Sequence, residues 1–369
     1  MPHNVMSFMN LINSTTSPHR STLADLLKGI AVVLMVQVHI MEQFATEELL
    51  HSPIGRVSLF LGGPPAAPVF LAVMGYFVVH SRKSLAQLMR RGVLLVAGGL
   101  LLNVGLNANL LYSISRGQFQ LDPFAFIFGA DILPVAGLSI ICIALLRAFA
   151  PTGFVVPLVL AFAIAALNSV LSPVPATENH VVRYVAAFIW SEDWWSYFPL
   201  VPWLSYSLFG VAFAKATAVH SRFSAMDQKV RILLIFTIVS LLIATSSFAI
   251  NTITNLPLYY HHGILLMLWI SGFLFVWLMT VIWLNRLFDA SAVGKYLQWL
   301  GRNVTSAYVI QWLIIGNMAT ILYRTQALGQ AALWFVSVIL SMSLLILGYQ
   351  RVRAIAQGSS FANTSSSPP

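Results

Sequence analysis

Long apolar segments alternate with short polar connections along the whole chain. A hydrocarbon core about 30 Å thick needs roughly 20 mainly apolar residues per helix. Ten segments meet this requirement, at approximately residues 24–44, 58–80, 92–110, 131–149, 153–171, 197–217, 231–250, 262–284, 303–322 and 331–350. The pattern predicts an all-α, polytopic membrane protein with about ten transmembrane helices.

The same pattern of apolar segments predicts the domain boundaries. Residues 22–353 form one predicted transmembrane domain, because even the longer connections, 111–130 and 172–196, show no separate fold. Residues 1–21 form a predicted cytoplasmic N-terminal segment. Residues 354–369 form a tail whose Ser, Gly and Pro content predicts disorder.

The second apolar segment is interrupted by the sequence GGPPAAP, residues 62–68. Proline lacks the backbone N–H that a helix interior needs, so this sequence predicts a kink or a non-helical break. Irregular backbone at membrane depth is tolerated only where other protein or a water-filled cavity covers it. We therefore expect a cavity close to residues 62–68.

Composition excludes an ordinary soluble domain. The chain is 58% hydrophobic and 8% charged, with a mean hydropathy of +0.82, whereas soluble domains are about one quarter charged. Of its twenty Lys and Arg residues, only Arg56, Arg116, Arg183 and Arg324 fall opposite the N-terminus. Positive charge accumulates on the cytoplasmic side, so both termini are predicted to be cytoplasmic. The single cysteine, Cys142, supports neither a disulfide nor a Cys-rich metal site.

A histidine interrupts the first apolar segment. His39 lies eleven residues after Lys28, which is roughly 16 Å along a helix axis and so beyond the middle of the bilayer. Glu42 follows at position i+3, on the same helix face, where a carboxylate can orient an imidazole. The pair is either an acid–base unit or an interfacial pair without a catalytic task. Ionisable groups at this depth are costly, which keeps the catalytic interpretation open.

Further polar and aromatic residues are predicted at the outer face, namely His51, His261–His262, Asp131 and Trp194–Trp195. No His-x-x-x-His spacing joins the histidines, and adjacent histidines point in different directions on a helix. We therefore predict no metal site. The tryptophans are typical of an aromatic belt at the headgroup level, and the alternative is a stacking platform for a sugar ring.

Basic residues gather at the cytoplasmic ends of several segments. The sequence SRKSLAQLMRR places Arg90 and Arg91 between the second and third segments, and Lys28 and Arg302 lie where two other segments begin. Such cations could bind the phosphates of a nucleotide-containing donor. The alternative is the ordinary charge that orients membrane helices. Gly-rich phosphate loops, Gly-x-Ser-x-Gly turns and Cys-x-x-Cys pairs are absent from the sequence.

Five motifs together resemble those of one family. In chain order they are RSTLADLLKGIAVVLMVQVH, APVFLAVMGYF, FGADILPVAGLS, YFPLVPWLSYSLFGVAF and LGRNVTSAYVIQW, and they span residues 20–312. By their order and spacing the chain resembles the transmembrane acyltransferase superfamily, which is related to acyltransferase family 3. Within it the resemblance is to the DUF1624/DUF418 (YeiB-like) and heparan-alpha-glucosaminide N-acetyltransferase-like branch. Lys28 stands where this family usually has arginine, and Gln311 where many relatives have histidine.

The resemblance implies transfer of an acyl group, with acetyl favoured, from cytoplasmic acyl-CoA to a hydroxyl or amine of a glycan or lipid-linked sugar outside. Acyl-CoA (acetyl-CoA) is then a donor substrate, and no cofactor is bound permanently. The base that takes the acceptor's proton is His39 or, by similarity to the animal branch, His51 in the following loop. The candidate catalytic residues are His39, His51, Glu42 and Asp131, and the candidate donor-binding residues are Lys28, Arg90, Arg91 and Arg302.

The resemblance also implies a bacterial inner membrane, with membrane lipids, acyl-CoA and the sugar acceptor as partners. Nucleic acid is not expected as a partner, and the sequence leaves open whether the chain forms a homodimer. Two other functions fit the same residues. A proton-coupled transporter could use His39 and Glu42 as a relay, although no repeat is visible between the two halves. A non-catalytic membrane protein of the same fold is the other alternative.

Overall fold

The structure is a computed structural model that describes residues 22–149, 153–170, 179–218, 228–288 and 291–364. Within these ranges the chain is helical and contains no β-strand, apart from one isolated bridge between Ala45 and Gln326. The predicted all-α class is therefore confirmed. The predicted N-terminal segment, residues 1–21, lies outside the described residues.

The described ranges contain eighteen helices, numbered here in chain order. They are α1 Thr22–Phe44, α2 Glu47–His51, α3 Pro53–Gly62, α4 Ala67–His80, α5 Leu85–Leu106, α6 Ala108–Ser115, α7 Pro123–Ile127, α8 Ile132–Phe149, α9 Val155–Val170, α10 His180–Ile189, α11 Leu200–Ala218, α12 Gln228–Ala244, α13 Ser246–Ile253, α14 Leu256–Tyr260, α15 Ile264–Phe288, α16 Ala292–Arg302, α17 Val304–Leu322 and α18 Leu328–Thr364.

Seven helical segments in the described ranges are long and apolar enough to cross a membrane: α1, α3 with α4, α5, α8, α15, α17 and α18. The bent pair α12 and α13, inclined by 59°, makes eight if it counts as one span. Helix α9 has 16 residues, about 24 Å at 1.5 Å per residue, and so falls short of a full bilayer. The chain is an integral membrane protein, while the number ten and the cytoplasmic placement of both termini stay predictions.

The predicted break in the second span is confirmed. Helix α3 ends at Gly62, residues 63–66 form turns, and α4 begins at Ala67. Gly62, Gly63 and Ala67 line a cavity, which is where the prolines predicted one. The last helix, α18, continues through residues 354–364, which the sequence analysis assigns to the tail, and residues 365–369 lie outside the described ranges.

Helix α1 is the central helix of the bundle. It packs against α3, α4, α15, α16, α17 and α18, and most of its apolar side chains are buried. Its crossing with α16 brings the two backbones into contact. A Cβ atom on Gly29 would lie 1.8 Å from the carbonyl oxygen of Leu297, and one on Gly301 would lie 1.7 Å from that of Asp25. The crossing therefore requires glycine at both positions.

A second crossing, between α4 and α11, is built in the same way. A Cβ atom on Gly75 would lie 2.0 Å from the carbonyl oxygen of Ser207, and one on Gly210 would lie 1.9 Å from that of Ala72. All four glycines belong to the motifs that carry the family resemblance. These motifs thus fix the positions of α1 and α4, the helices on either side of the Gly-Pro break.

Candidate active site

A cavity of about 1030 Å³ lies beside the half of α1 that ends at Phe44, which is the predicted outer half. Its walls come from α1, α3, α5, α17 and the segment that contains α14. Five exposed apolar or aromatic side chains also line it, so the cavity opens to the surface where they lie. They are Phe119, Leu121, Trp194, Leu258 and Tyr323.

One face of α1 forms a wall of this cavity. Met35, Val38, His39 and Glu42 all line it, and their spacing of three and four residues corresponds to a single helix face. The structure therefore brings His39 and Glu42 to one cavity. The wall begins at Met35, seven residues or roughly 10 Å along the helix from Lys28.

His39 faces an aromatic ring on α17. The centroids of the His39 and Trp312 rings are 4.1 Å apart, with the ring planes inclined at 31°. Nδ1 of His39 is buried and has no hydrogen-bond partner among the described residues. Contact with Trp312 restrains the plane of the imidazole, while an unpartnered ring nitrogen can exchange a proton with a molecule bound in the cavity.

Asp131 lies immediately before α8, at the same cavity. The hydroxyl of Tyr308 donates to its Oδ2 at 2.6 Å, and the backbone N–H of Ile132 donates to its Oδ1 at 2.6 Å. Both oxygens of the carboxyl group are thereby held in place. Asp131 also lies near enough to Glu42 for the two carboxyl groups to interact electrostatically. The structure thus brings three predicted site residues, His39, Glu42 and Asp131, into one cavity.

His51 lies outside this cavity. Its side chain is 76% exposed, and its Nδ1 is 2.8 Å from the backbone oxygen of Glu47 and 3.5 Å from the Glu47 carboxylate. Both contacts are within helix α2. In the described structure His51 is therefore a surface residue near the same end of the bundle as His39.

The four predicted donor-binding residues do not line this cavity. Nζ of Lys28 forms an ion pair with Asp25 Oδ1 at 2.7 Å, one turn earlier in α1. Arg90, Arg91 and Arg302 are exposed. Their role toward a donor stays a prediction, and a donor held by them would have to extend along the bundle to reach His39.

The two adjacent histidines point in different directions, as expected. His261 lines the cavity. His262 is buried, with Nε2 2.6 Å from the Tyr206 hydroxyl and Nδ1 2.7 Å from the Tyr259 backbone oxygen. Within the described ranges, no three His, Cys, Asp or Glu side chains are placed to hold a metal ion. His262 is fully hydrogen-bonded and fixes the segment that carries His261.

The two adjacent tryptophans also differ. Trp194 is 54% exposed and lines the cavity mouth, whereas Trp195 is buried beneath the Arg183 guanidinium, 4.9 Å from its ring centroid. Arg183 in turn pairs with Asp193 at 2.5 Å. Tyr184 donates to Asp122, and burial together with this bond raises the pKa of Tyr184 to about 12. These contacts fix the connection that presents Trp194, where it can stack on a ligand.

Several cavity residues are not among the predicted site residues. Tyr308 and Trp312 fall within the motif LGRNVTSAYVIQW, and this position could have identified them as candidate site residues. Tyr197 follows the Trp194–Trp195 pair and Tyr260 precedes the two histidines, and both line the cavity. Arg324 was counted only as an outer charge, because its position gives no local sign of a cavity.

The geometry defines a helical membrane protein with a cavity in its bundle that histidine and carboxyl side chains line. The catalytic-domain family model of heparan-alpha-glucosaminide N-acetyltransferase matches residues 20–245, more than half of the chain. The chain belongs to this family of membrane N-acetyltransferases. The matched region includes His39, Glu42 and Asp131 and ends before Tyr308 and Arg324. No curated protein and no solved structure matches the chain.

Proposed function

We propose that the protein transfers an acetyl group from cytoplasmic acetyl-CoA to an amine or hydroxyl of a glycan or lipid-linked sugar at the outer face. The membrane is proposed to be the bacterial inner membrane. The observation that carries this proposal is the unpartnered Nδ1 of His39, buried in a cavity beside two carboxyl groups. Family membership supports acetyl as the transferred group.

In the proposed reaction His39 is the general base. Its neutral ring accepts a proton from the acceptor amine while the amine nitrogen attacks the thioester carbonyl. A C–N bond forms and the C–S bond breaks, and the proton passes from the imidazolium to the departing sulfur. The products are the acetamide and CoA thiol, so no oxidant or further reactant is needed. Trp312 restrains the ring plane throughout, because the centroids of the two rings are 4.1 Å apart.

The carboxyl groups complete this chemistry. Glu42 lies one turn beyond His39 on the same helix face, where a negative charge stabilises the imidazolium that forms when His39 takes the proton. Asp131 is held by Tyr308 and by the Ile132 N–H, so its carboxyl group can accept a hydrogen bond from the acceptor without moving. His51 is the alternative base, and it requires the loop after α1 to fold over the cavity.

Acetyl transfer by the purified protein is the test of this proposal. Nanodisc-embedded protein is mixed with acetyl-CoA and methyl glucosaminide, and both free CoA thiol and acetylated sugar are measured. We expect equal amounts of the two products. Absence of both transfer and thioester hydrolysis would contradict the proposal. Sugar uptake driven by a pH gradient in proteoliposomes, without transfer, would instead support the transporter.

The donor is proposed to bind through its phosphates to Lys28, Arg90, Arg91 and Arg302. The double variant Arg90→Gln with Arg91→Gln is expected to weaken acetyl-CoA binding about tenfold or more, because two charge-assisted contacts are lost. Equilibrium binding with labelled acetyl-CoA measures this. The matched control is Arg351→Gln with Arg353→Gln, which removes two exposed charges from the predicted cytoplasmic side. If both double variants weaken acetyl-CoA binding equally, the effect comes from the overall charge and not from contacts of Arg90 and Arg91 with the donor.

A further inference from the structure

Arg324 has an unusual backbone for its residue type. It connects α17 to α18 with φ of 56°, and it is the one non-glycine residue with positive φ in the described ranges. L-amino acids other than Asn and Asp rarely adopt this conformation, and such residues persist only where their surroundings hold them.

The surroundings of Arg324 do hold it. Its backbone N–H donates to the Gln43 oxygen at 3.1 Å, and the N–H of Gln326 donates to the Phe44 oxygen at 2.8 Å. The N–H of Thr46 donates back to the Gln326 oxygen at 3.0 Å. The connection is thereby fixed to the end of α1. Gln43 is four residues beyond His39, or roughly 6 Å along the helix axis.

The side chain of Arg324 lies at the cavity wall with unused donors. Its side chain is 19% exposed, and its Nε and Nη1 atoms are buried without hydrogen-bond partners in the described residues. Nε is 3.3 Å from the Glu47 carboxylate, an ion-pair distance without hydrogen-bond geometry. The guanidinium also lies over the Tyr323 ring, 5.4 Å from its centroid. Buried N–H groups without a partner are costly unless a ligand engages them.

Among the described residues, Arg324 is the one lysine or arginine that lines this cavity, where the acidic side chains are three carboxyl groups. They are Glu42, Asp131 and Glu192. A guanidinium presents a planar fork of donors that matches a carboxylate or phosphate. The cavity that His39 lines therefore has one position suited to an anion.

We propose that Arg324 binds an anionic group of the acceptor, a carboxylate or a phosphate, and so places the acceptor's reacting amine or hydroxyl beside His39. This inference rests on the proposed function and specifies its substrate class as an acidic sugar. The anion can belong to a carboxylated glycan or to the phosphate of a lipid-linked sugar. The exposed apolar side chains at the mouth, such as Phe119 and Leu121, can pack against a lipid chain.

Binding measured without donor tests this inference. The probes are methyl glucosaminide, muramic acid and glucosamine linked to decyl phosphate, each titrated into the full-length protein in nanodiscs. We expect at least one anionic probe to bind about tenfold or more tightly than methyl glucosaminide. A preference for muramic acid indicates a carboxylated glycan, and a preference for the decyl phosphate indicates a lipid-linked sugar.

Variants of Arg324 and of other charged residues test whether the Arg324 guanidinium itself causes the preference for anionic probes. Arg324→Gln is expected to abolish the preference for anionic probes, and Arg324→Lys to retain part of it. Glu47→Gln, which removes only the ion-pair partner, and Arg116→Gln, which removes another charge from the same predicted side, are expected to retain the preference. Equal binding of all three probes by the wild-type protein, or full preference in Arg324→Gln, would overturn the inference.

Further measurements distinguish a failure of this inference from misfolding of the variant and from a failure of the proposed reaction. If Arg324→Gln does not fold, Arg324→Lys is measured instead, which keeps the charge but loses the planar fork of donors, so the preference should fall without vanishing; a preference unchanged in this variant would overturn the inference. Arg324-dependent binding without any acetyl transfer would count against the proposed reaction alone. Acetyl transfer without preference for an anionic probe would count against Arg324 alone.

Discussion

His39→Ala is expected to lower the rate of acetyl transfer by about 10²- to 10⁴-fold, the usual contribution of a positioned general base. Acetyl-CoA binding should be retained, because the predicted phosphate contacts are at the other end of α1. The variant removes the imidazole that contacts Trp312 and whose buried Nδ1 has no hydrogen-bond partner among the described residues. Transfer rate and acetyl-CoA affinity are measured on the same nanodisc preparation, so that loss of fold is not mistaken for loss of chemistry.

His51→Ala is the matched control for this prediction. His51 is a surface residue that contacts only its own helix in the described structure, so its removal should change the rate less than about twofold, within the effect of an ordinary surface substitution. If His51→Ala abolishes transfer while His39→Ala does not, the loop after α1 closes over the cavity and His51 is the base. Full activity in both variants would eliminate the histidine mechanism.

Gly301→Ala is expected to lower the free energy of unfolding by about 3 kcal/mol, the upper end of the usual cost of overpacking. The added Cβ would lie 1.7 Å from the carbonyl oxygen of Asp25, and a backbone atom cannot turn aside as a side chain can. Helices α1 and α16 would have to separate, which would shift the wall that carries His39. Thermal unfolding in nanodiscs measures the loss, together with the yield of folded protein.

Gly98→Ala is the control, because it makes the same change at an open position. A Cβ atom on Gly98 would meet no atom within 4 Å, and alanine in a helix interior is favoured over glycine by about 0.5–1 kcal/mol. We expect this variant to unfold at the same or a slightly higher temperature than the wild-type protein. Equal stability of Gly301→Ala and Gly98→Ala would show that the close crossing does not exist.

The local features of the sequence predicted the fold well. The length of the apolar segments predicted the helices, and the prolines of GGPPAAP predicted the break in the second span. Both features depend only on residues that are neighbours in the sequence. The spacing of His39 and Glu42 gave their common face for the same reason. The number of complete spans is harder to predict, since α9 has only 16 residues and α12 and α13 are bent by 59°. Apolar composition does not determine where a helix ends or bends.

The partners within the candidate site were not predictable. Tyr308 donates to Asp131 across 177 positions of sequence, and no local pattern relates residues so far apart. Arg324 was interpreted as an outer charge, and only the hydrogen bonds to the end of α1 place it at the cavity. By contrast, the ion pair of Lys28 with Asp25 joins residues at i and i+3, a spacing at which helical side chains are neighbours.

We expect acetyl transfer to take place in the cavity that His39 lines. A cryo-EM structure tests this with a bisubstrate analogue, in which a CH2–C(=O) group joins the sulfur of CoA to the nitrogen of a glucosaminide. The linking amide should lie in this cavity, about 3–3.5 Å from a ring nitrogen of His39, as a reactive geometry requires. If the analogue binds elsewhere, or if its linking amide lies beside His51 instead of His39, then transfer beside His39 is wrong.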